Sequence, residues 1–152
     1  MISENVTIAS PNSAIAIEDN VFWMGNNEFY AYGGAVQKLP CTVRDYVFSD
    51  FNQNQSEKVF AASNTSFSEV WWFYPSASST ENNKYVVYNY QEGIWYIGTL
   101  DRTAWLDRGI SSLPVGTGTD NYLFNHEVGS KADGVAMTSF IESGDLGVTD
   151  GN

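Results

Sequence analysis

Apolar and polar positions alternate over short stretches, and clusters of Asn, Gly, Ser and Asp separate those stretches. Alternation with period two is the mark of half-buried strands, and the punctuating residues are those that tolerate tight turns. Ala14 to Ile17, Val21 to Gly25, Phe29 to Tyr32 and Ala35 to Leu39 read as four strands. Glu18-Asp19-Asn20, Asn26-Asn27 and Gly33-Gly34 read as the turns between them, and Pro40 ends the run. Connections this short build an up-and-down meander. Val43, Val47 and Phe51 then recur at every fourth position, which predicts a short helix within Cys41 to Asn52, with a polar loop from Asn52 to Glu57.

The alternation resumes in Lys58 to Ala62, Glu69 to Tyr74, Lys84 to Tyr90 and Ile94 to Leu100, with Ser63 to Ser66 as a turn. The run Glu-Val-Trp-Trp-Phe-Tyr at 69–74 is apolar on both faces and predicts a strand covered on both sides. A third, less regular group follows: strands in Thr103 to Asp107, Tyr122 to Glu127 and Met137 to Glu142. A Gly and Pro loop is expected from Leu113 to Asp120 and a turn from Gly129 to Asp133.

Trp23, Trp72 and Phe124 sit in similar apolar runs, each assigned to the second strand of its meander. They lie 49 and 52 residues apart (23 to 72, 72 to 124). Four strands per repeat of about 50 residues is the pattern of propeller blades. The fold class expected is therefore all-β: antiparallel four-stranded meanders, β-propeller-like, about three blades with one short helix after the first. The chain is expected to be a single β-rich domain over residues 1–152. Its blade-like units are 14–40, 58–100 and 103–142, with helix and loop at 41–57. Three blades fall short of the four to eight that close a ring. Unpaired edges near Ala14 and Phe140 are expected to recruit further strands, including those of a second copy.

Composition sharpens this picture. Aromatic residues make up 15% of the 152 residues, enough to fill the space between packed sheets. Seven Lys and Arg against eighteen Asp and Glu give a net charge of -11, which disfavours sequence-specific nucleic-acid binding. No apolar run is long enough for a membrane span, and no signal peptide is visible at the N-terminus. Cys41 is the single cysteine, so no disulfide forms within the chain.

Several stretches resemble the propeller region of tail proteins from short-tailed phages. They are Phe22-Trp23-Met24-Gly25-Asn26, Phe29 to Gly34 and Leu39 to Val43. Val70 to Pro75, Tyr85 to Tyr90 and Leu100 to Trp105 share the likeness, which runs from about Ala14 to Gly151. The resemblance implies a fragment or reduced relative of a tail nozzle or tail-stabilising protein, located in the virion after synthesis in the bacterial cytoplasm. It implies other tail or portal subunits as partners and carries no catalytic residue. It also implies a lining for a DNA conduit, where negative walls repel the duplex and let it slide.

His126 is the only histidine, with no second ligand at zinc spacing and no Gly-x-Ser-x-Gly elbow, so a strand-surface role is expected. Cys41 reads as a small buried side chain. Asp101-Arg102 and Asp107-Arg108 flank Trp105 and are expected to clamp a loop. A calcium loop near Asp145 to Asn152 lacks the spaced acidic ligands. No metal, cofactor or catalytic residue is expected. Trp71, Trp95, Tyr96 and Trp105 are the residues that would stack on a sugar if exposed, which makes a carbohydrate-binding module the alternative function. A glycoside hydrolase fragment stands behind it, needing two carboxylates at catalytic separation.

Overall fold

The computed structural model describes residues 5–132 and 135–136. The fold is all-β, with two four-stranded antiparallel sheets, one of three strands and a two-stranded hairpin. The sheets do not close on one another. Among the described residues no helix is long and apolar enough to cross a membrane.

The first sheet is β1 (Ala14–Ile17), β2 (Asn20–Met24), β3 (Phe29–Tyr32) and β4 (Val36–Leu39), in that order. Asn20 pairs with Ile17, so the first turn is only Glu18-Asp19, with Glu18 at φ 53°. Gly34 turns the chain at φ 96°, where a side chain would be strained. The predicted helix is α1 (Arg44–Asp50), which buries Val47 completely and lays Phe48 against Phe29 at 5.2 Å between ring centroids. The polar stretch expected as loop is instead a kinked 3-10 segment (Gln53–Lys58), seeded by Asn52, whose side chain accepts from the Asn54 amide at 3.2 Å.

The second sheet is β5 (Phe60–Asn64), β6 (Glu69–Tyr74), β7 (Lys84–Asn89) and β8 (Ile94–Thr99). β5 starts later than expected and runs through Ser63 and Asn64, and the turn follows at Thr65–Phe67 with Ser68 at φ 59°. Alternation divides β6 cleanly. Val70, Trp72 and Tyr74 face the first sheet, in one core with Phe22, Met24, Phe29 and Trp95, while Trp71 and Phe73 face the third sheet. Burying rings of this size stabilises by roughly 1.5–3 kcal/mol each, so the second sheet is held from both sides.

The third sheet is β9 (Ala104–Leu106), β10 (Val115–Thr117) and β11 (Leu123–Asn125), in spatial order β11-β10-β9. The hairpin β12 (Lys131–Ala132) and β13 (Val135–Ala136) follows, its first strand inside the segment read as a turn at 129–133 and its second beyond it. Two expectations are corrected here. The Gly and Pro stretch at 113–120 contains the middle strand, because Gly116 must lie flat beneath neighbours that any Cβ would crowd: Arg102 Cδ at 3.0 Å and Trp105 Cε3 at 3.2 Å. Phe124 accordingly belongs to the third strand of its sheet, while Trp23 and Trp72 belong to second strands. The strand expected at Met137 to Glu142 and the loop near Asp145 lie outside the described residues.

The leading strands sit side by side, β1 against β5 and β5 against β9. The chain thus stacks its sheets in sequence order. Trp23 faces away from the second sheet, stacks on Tyr30 at 5.4 Å and donates its indole N–H to Thr7 O at 3.1 Å. The segment before β1 therefore covers that outer face.

Candidate functional site: the joints between sheets

The joint between the first and second sheets rests on apolar rings and on donors aimed at main-chain carbonyls. Trp72 Nε1 donates to Ser13 O at 2.9 Å and Trp95 Nε1 to Pro40 O at 2.9 Å. The Ala61 amide donates to Asn12 O at 2.8 Å, and Ser10 Oγ donates to Val59 O. Phe29 lies 5.0 Å from Trp72 and 4.8 Å from Trp95. None of these donors or acceptors changes charge near neutral pH.

The joint between the second and third sheets has a different chemistry. Trp105 stacks on Trp71 at 5.5 Å and donates to Ser63 O at 2.9 Å. Asp107 Oδ2 accepts from Ser63 Oγ and from the Thr65 amide, both at 2.9 Å, so this carboxylate ties β9 to the end of β5. Asn64 is fully buried, and its Nδ2 lies 3.1 Å from Glu127 Oε1 and 3.5 Å from Glu69 Oε2. Burial raises the Glu69 carboxyl above its ordinary range, and the charge of Glu127 adds to the effect.

Beside this clamp Arg102 is buried, 8% exposed, with its guanidinium 4.3 Å over the Phe124 ring. Arg102 Nε donates to His126 Nε2 at 2.9 Å, and Nη1 donates to Asp101 O. His126 in turn packs against Trp105 at 4.4 Å between centroids. Burial pushes the imidazole down to about 4, helped by the positive charge of Arg102. His126 is thus half-buried past the end of β11 rather than on a strand surface. The loop clamp expected of Asp101-Arg102 and Asp107-Arg108 exists through Asp107, but Arg102 spends its donors on an imidazole and a carbonyl. Sequence reasoning missed Asn64, Glu69 and the Arg102–His126 contact, whose partners lie far apart in the chain.

The rings suggested for sugar stacking have mostly internal partners. Trp95 is 8% exposed and lies in the first joint; Trp71 and Trp105 stack on each other and are half-buried. Trp71 Nε1 donates to Glu69 Oε2 at 2.9 Å. Tyr96, on the edge strand β8, is 42% exposed. Cys41 is half-buried beside the core, and burial pushes its thiol up to about 11. A cleft of about 640 Å³ opens between the β1–β2 turn and the end of β5, lined by Glu18, Ser63, Thr65, Ser68, Tyr90 and Gln91 among others. Two of its hydroxyls are engaged internally: Ser63 with Asp107, and Ser68 with Gln91 at 3.3 Å. Among the described residues no three His, Cys, Asp or Glu side chains group as a metal site.

No family model matches the chain, and comparison with curated proteins finds no significant relative.

Proposed function

We propose that this chain is a non-enzymatic structural module of a phage tail assembly, a stack of blade-like sheets that works through subunit contacts. The observation that carries the reading is where the tryptophans spend themselves. Each of the five indole N–H groups donates inside the chain: Trp23 to Thr7, Trp71 to Glu69, Trp72 to Ser13, Trp95 to Pro40 and Trp105 to Ser63. Four of those bonds run to main-chain carbonyls, and three of the four link one sheet or its flanking segment to the next. A surface built for sugars keeps its rings and their polar handles free.

What the chain leaves outward is suited to contact with protein. The far face of the third sheet presents Leu106 at 59% and Leu123 at 68% exposure, and β8 presents Ile94, Tyr96 and Ile97. The net charge of -11 suits a wall past which DNA must slide. Antibodies raised against the purified chain, applied to short-tailed phage particles and to bacterial cells under the electron microscope, test the proposal. Gold confined to tails supports it; gold on bacterial envelopes with none on particles overturns it.

A further inference from the structure

We propose that the joint holding the third sheet is acid-labile: protonation of His126 releases Arg102 and loosens β9–β11 from the second sheet, while the joint between the first and second sheets stays closed. This inference is independent of the assembly reading, since it rests on which groups make each joint.

His126 Nε2 accepts a hydrogen bond from Arg102 Nε, so the imidazole in this arrangement is neutral, with its proton on Nδ1. A protonated imidazole has donors at both nitrogens and no lone pair for Arg102. It would also set a second positive charge beside a guanidinium that is already 8% exposed. The surroundings offer little relief. From β9 comes the Trp105 ring, from β11 the Phe124 ring, and from β10 the bare backbone of Gly116, whose Cβ position would be 3.2 Å from Nε2. The second sheet meets this pair through Trp105, whose ring packs on His126 on one side and on the uncharged rings of Trp71 and Phe73 on the other. The nearby acids make their hydrogen bonds elsewhere, although the buried Asp101 Oδ1 has no partner. Asp101 Oδ2 accepts from the Thr119 amide at 3.2 Å, Asp120 Oδ1 accepts from the Tyr122 amide at 3.1 Å, and Glu127 turns to Asn64. Asp101 and Asp120 act on Arg102, whereas the charge felt by His126 is that of Arg102.

The sign follows from linkage. The imidazole titrates at about 4 when docked against 6.5 when free, so the undocked form binds more protons between those values. Docking is therefore complete above pH 6.5 and weakens as pH falls toward 4. The opening equilibrium gains at most tenfold per pH unit, and about 30-fold between pH 7.5 and 5. The first joint, made by indoles, amides and carbonyls, has no such term.

Native-state hydrogen exchange on the full chain, corrected for the intrinsic pH dependence, tests this at pH 7.5, 6.5 and 5. Protection in β9, β10 and β11 is expected to fall about 30-fold over that range, with β6 and β7 changing less than threefold. In His126→Gln the amide oxygen accepts from Arg102 but takes no proton, so the loss of protection toward acid pH is expected to vanish. Equal loss of protection in all three sheets overturns the proposal, as does a third-sheet response that persists in His126→Gln. Should that variant fail to dock at pH 7.5, the NMR titration of His126 in the native chain decides. A midpoint well below 6 sustains the coupling, and one near 6.5 overturns it.

Discussion

Trp72→Phe is the most direct probe of how the first two sheets hold together. Trp72 is fully buried, 5.0 Å from Phe29 and 6.1 Å from Trp95, with its N–H on Ser13 O. Phenylalanine keeps one aromatic ring but loses that donor, which costs about 1 kcal/mol. Ser13 O is not orphaned, because the Met24 amide still donates to it at 3.1 Å, so the full penalty for an unpaired buried acceptor does not apply. The shorter ring leaves a small void, adding about 1 kcal/mol, against roughly 3–5 for truncation to alanine. The total expected is about 2 kcal/mol. With a urea slope near 2 kcal/mol per M for a domain of this size, the midpoint should fall by about 1 M. Far-UV circular dichroism is the assay, since the substitution removes a fluorophore. Trp23→Phe serves as the comparison: its ring packs on Tyr30 and its donor meets only the leading segment, so a loss nearer 1 kcal/mol is expected. A fall below about 0.3 M for Trp72→Phe, or a larger one for Trp23→Phe, would refute the view that the indoles lock sheet to sheet.

Cys41, with its thiol raised from 9.0 to about 11 by burial, should hold roughly 100-fold less thiolate at pH 8 than an unperturbed cysteine. Higher intrinsic nucleophilicity offsets about half of that on a logarithmic scale, so labelling by a disulfide reagent should be about tenfold slower in the native chain than in urea. Gly98 pairs with Tyr85 across β7 and β8, and a methyl there runs into the phenol ring, itself stacked on Trp71 at 4.7 Å. Gly98→Ala should therefore cost about 2 kcal/mol, seen as a fall of roughly 4–8 °C in the calorimetric midpoint. Unchanged melting would mean the Tyr85 ring moves freely.

Elements that declare themselves locally were legible in the sequence. β6 spans the residues predicted for it, since six residues apolar on both faces admit few other readings. The turns at Asn26-Asn27 and around Gly34 follow from residues that accept such backbone angles. β10 was hidden because its middle residue is a glycine and a proline precedes it, both of which argue for loop when the neighbours are unknown. Only the packed structure reveals that Gly116 is small because Trp105 and Arg102 occupy its space. The joints were less legible still. Four of the five indoles donate to main-chain carbonyls, and a carbonyl leaves no mark in the sequence. His126 read as an isolated residue because its donor, Arg102, lies 24 positions earlier in the chain.

In the first sheet Ala14 pairs with Trp23, and in the second Ala61 pairs with Trp72, a small residue on the first strand beside an indole on the second. The third sheet pairs Trp105 with Gly116, the same large and small partners with their strands exchanged. What recurs in each first–second strand pair is one indole on the side facing the preceding element, while Trp71 of β6 faces the following sheet. Stacked sheets lie about 10 Å apart, a gap that two indoles directly opposite each other on one face would overfill. Exchange between strands preserves the filling, but it breaks the spacing along the chain. The third-sheet residue equivalent to Trp72 by strand order is Gly116, 44 residues on (72 to 116), while Phe124 reaches a spacing of 52 from the next strand. A period near 50 therefore pointed to Phe124 where strand order points to Gly116. The physical invariant is the volume held between adjacent sheets, which either strand can supply.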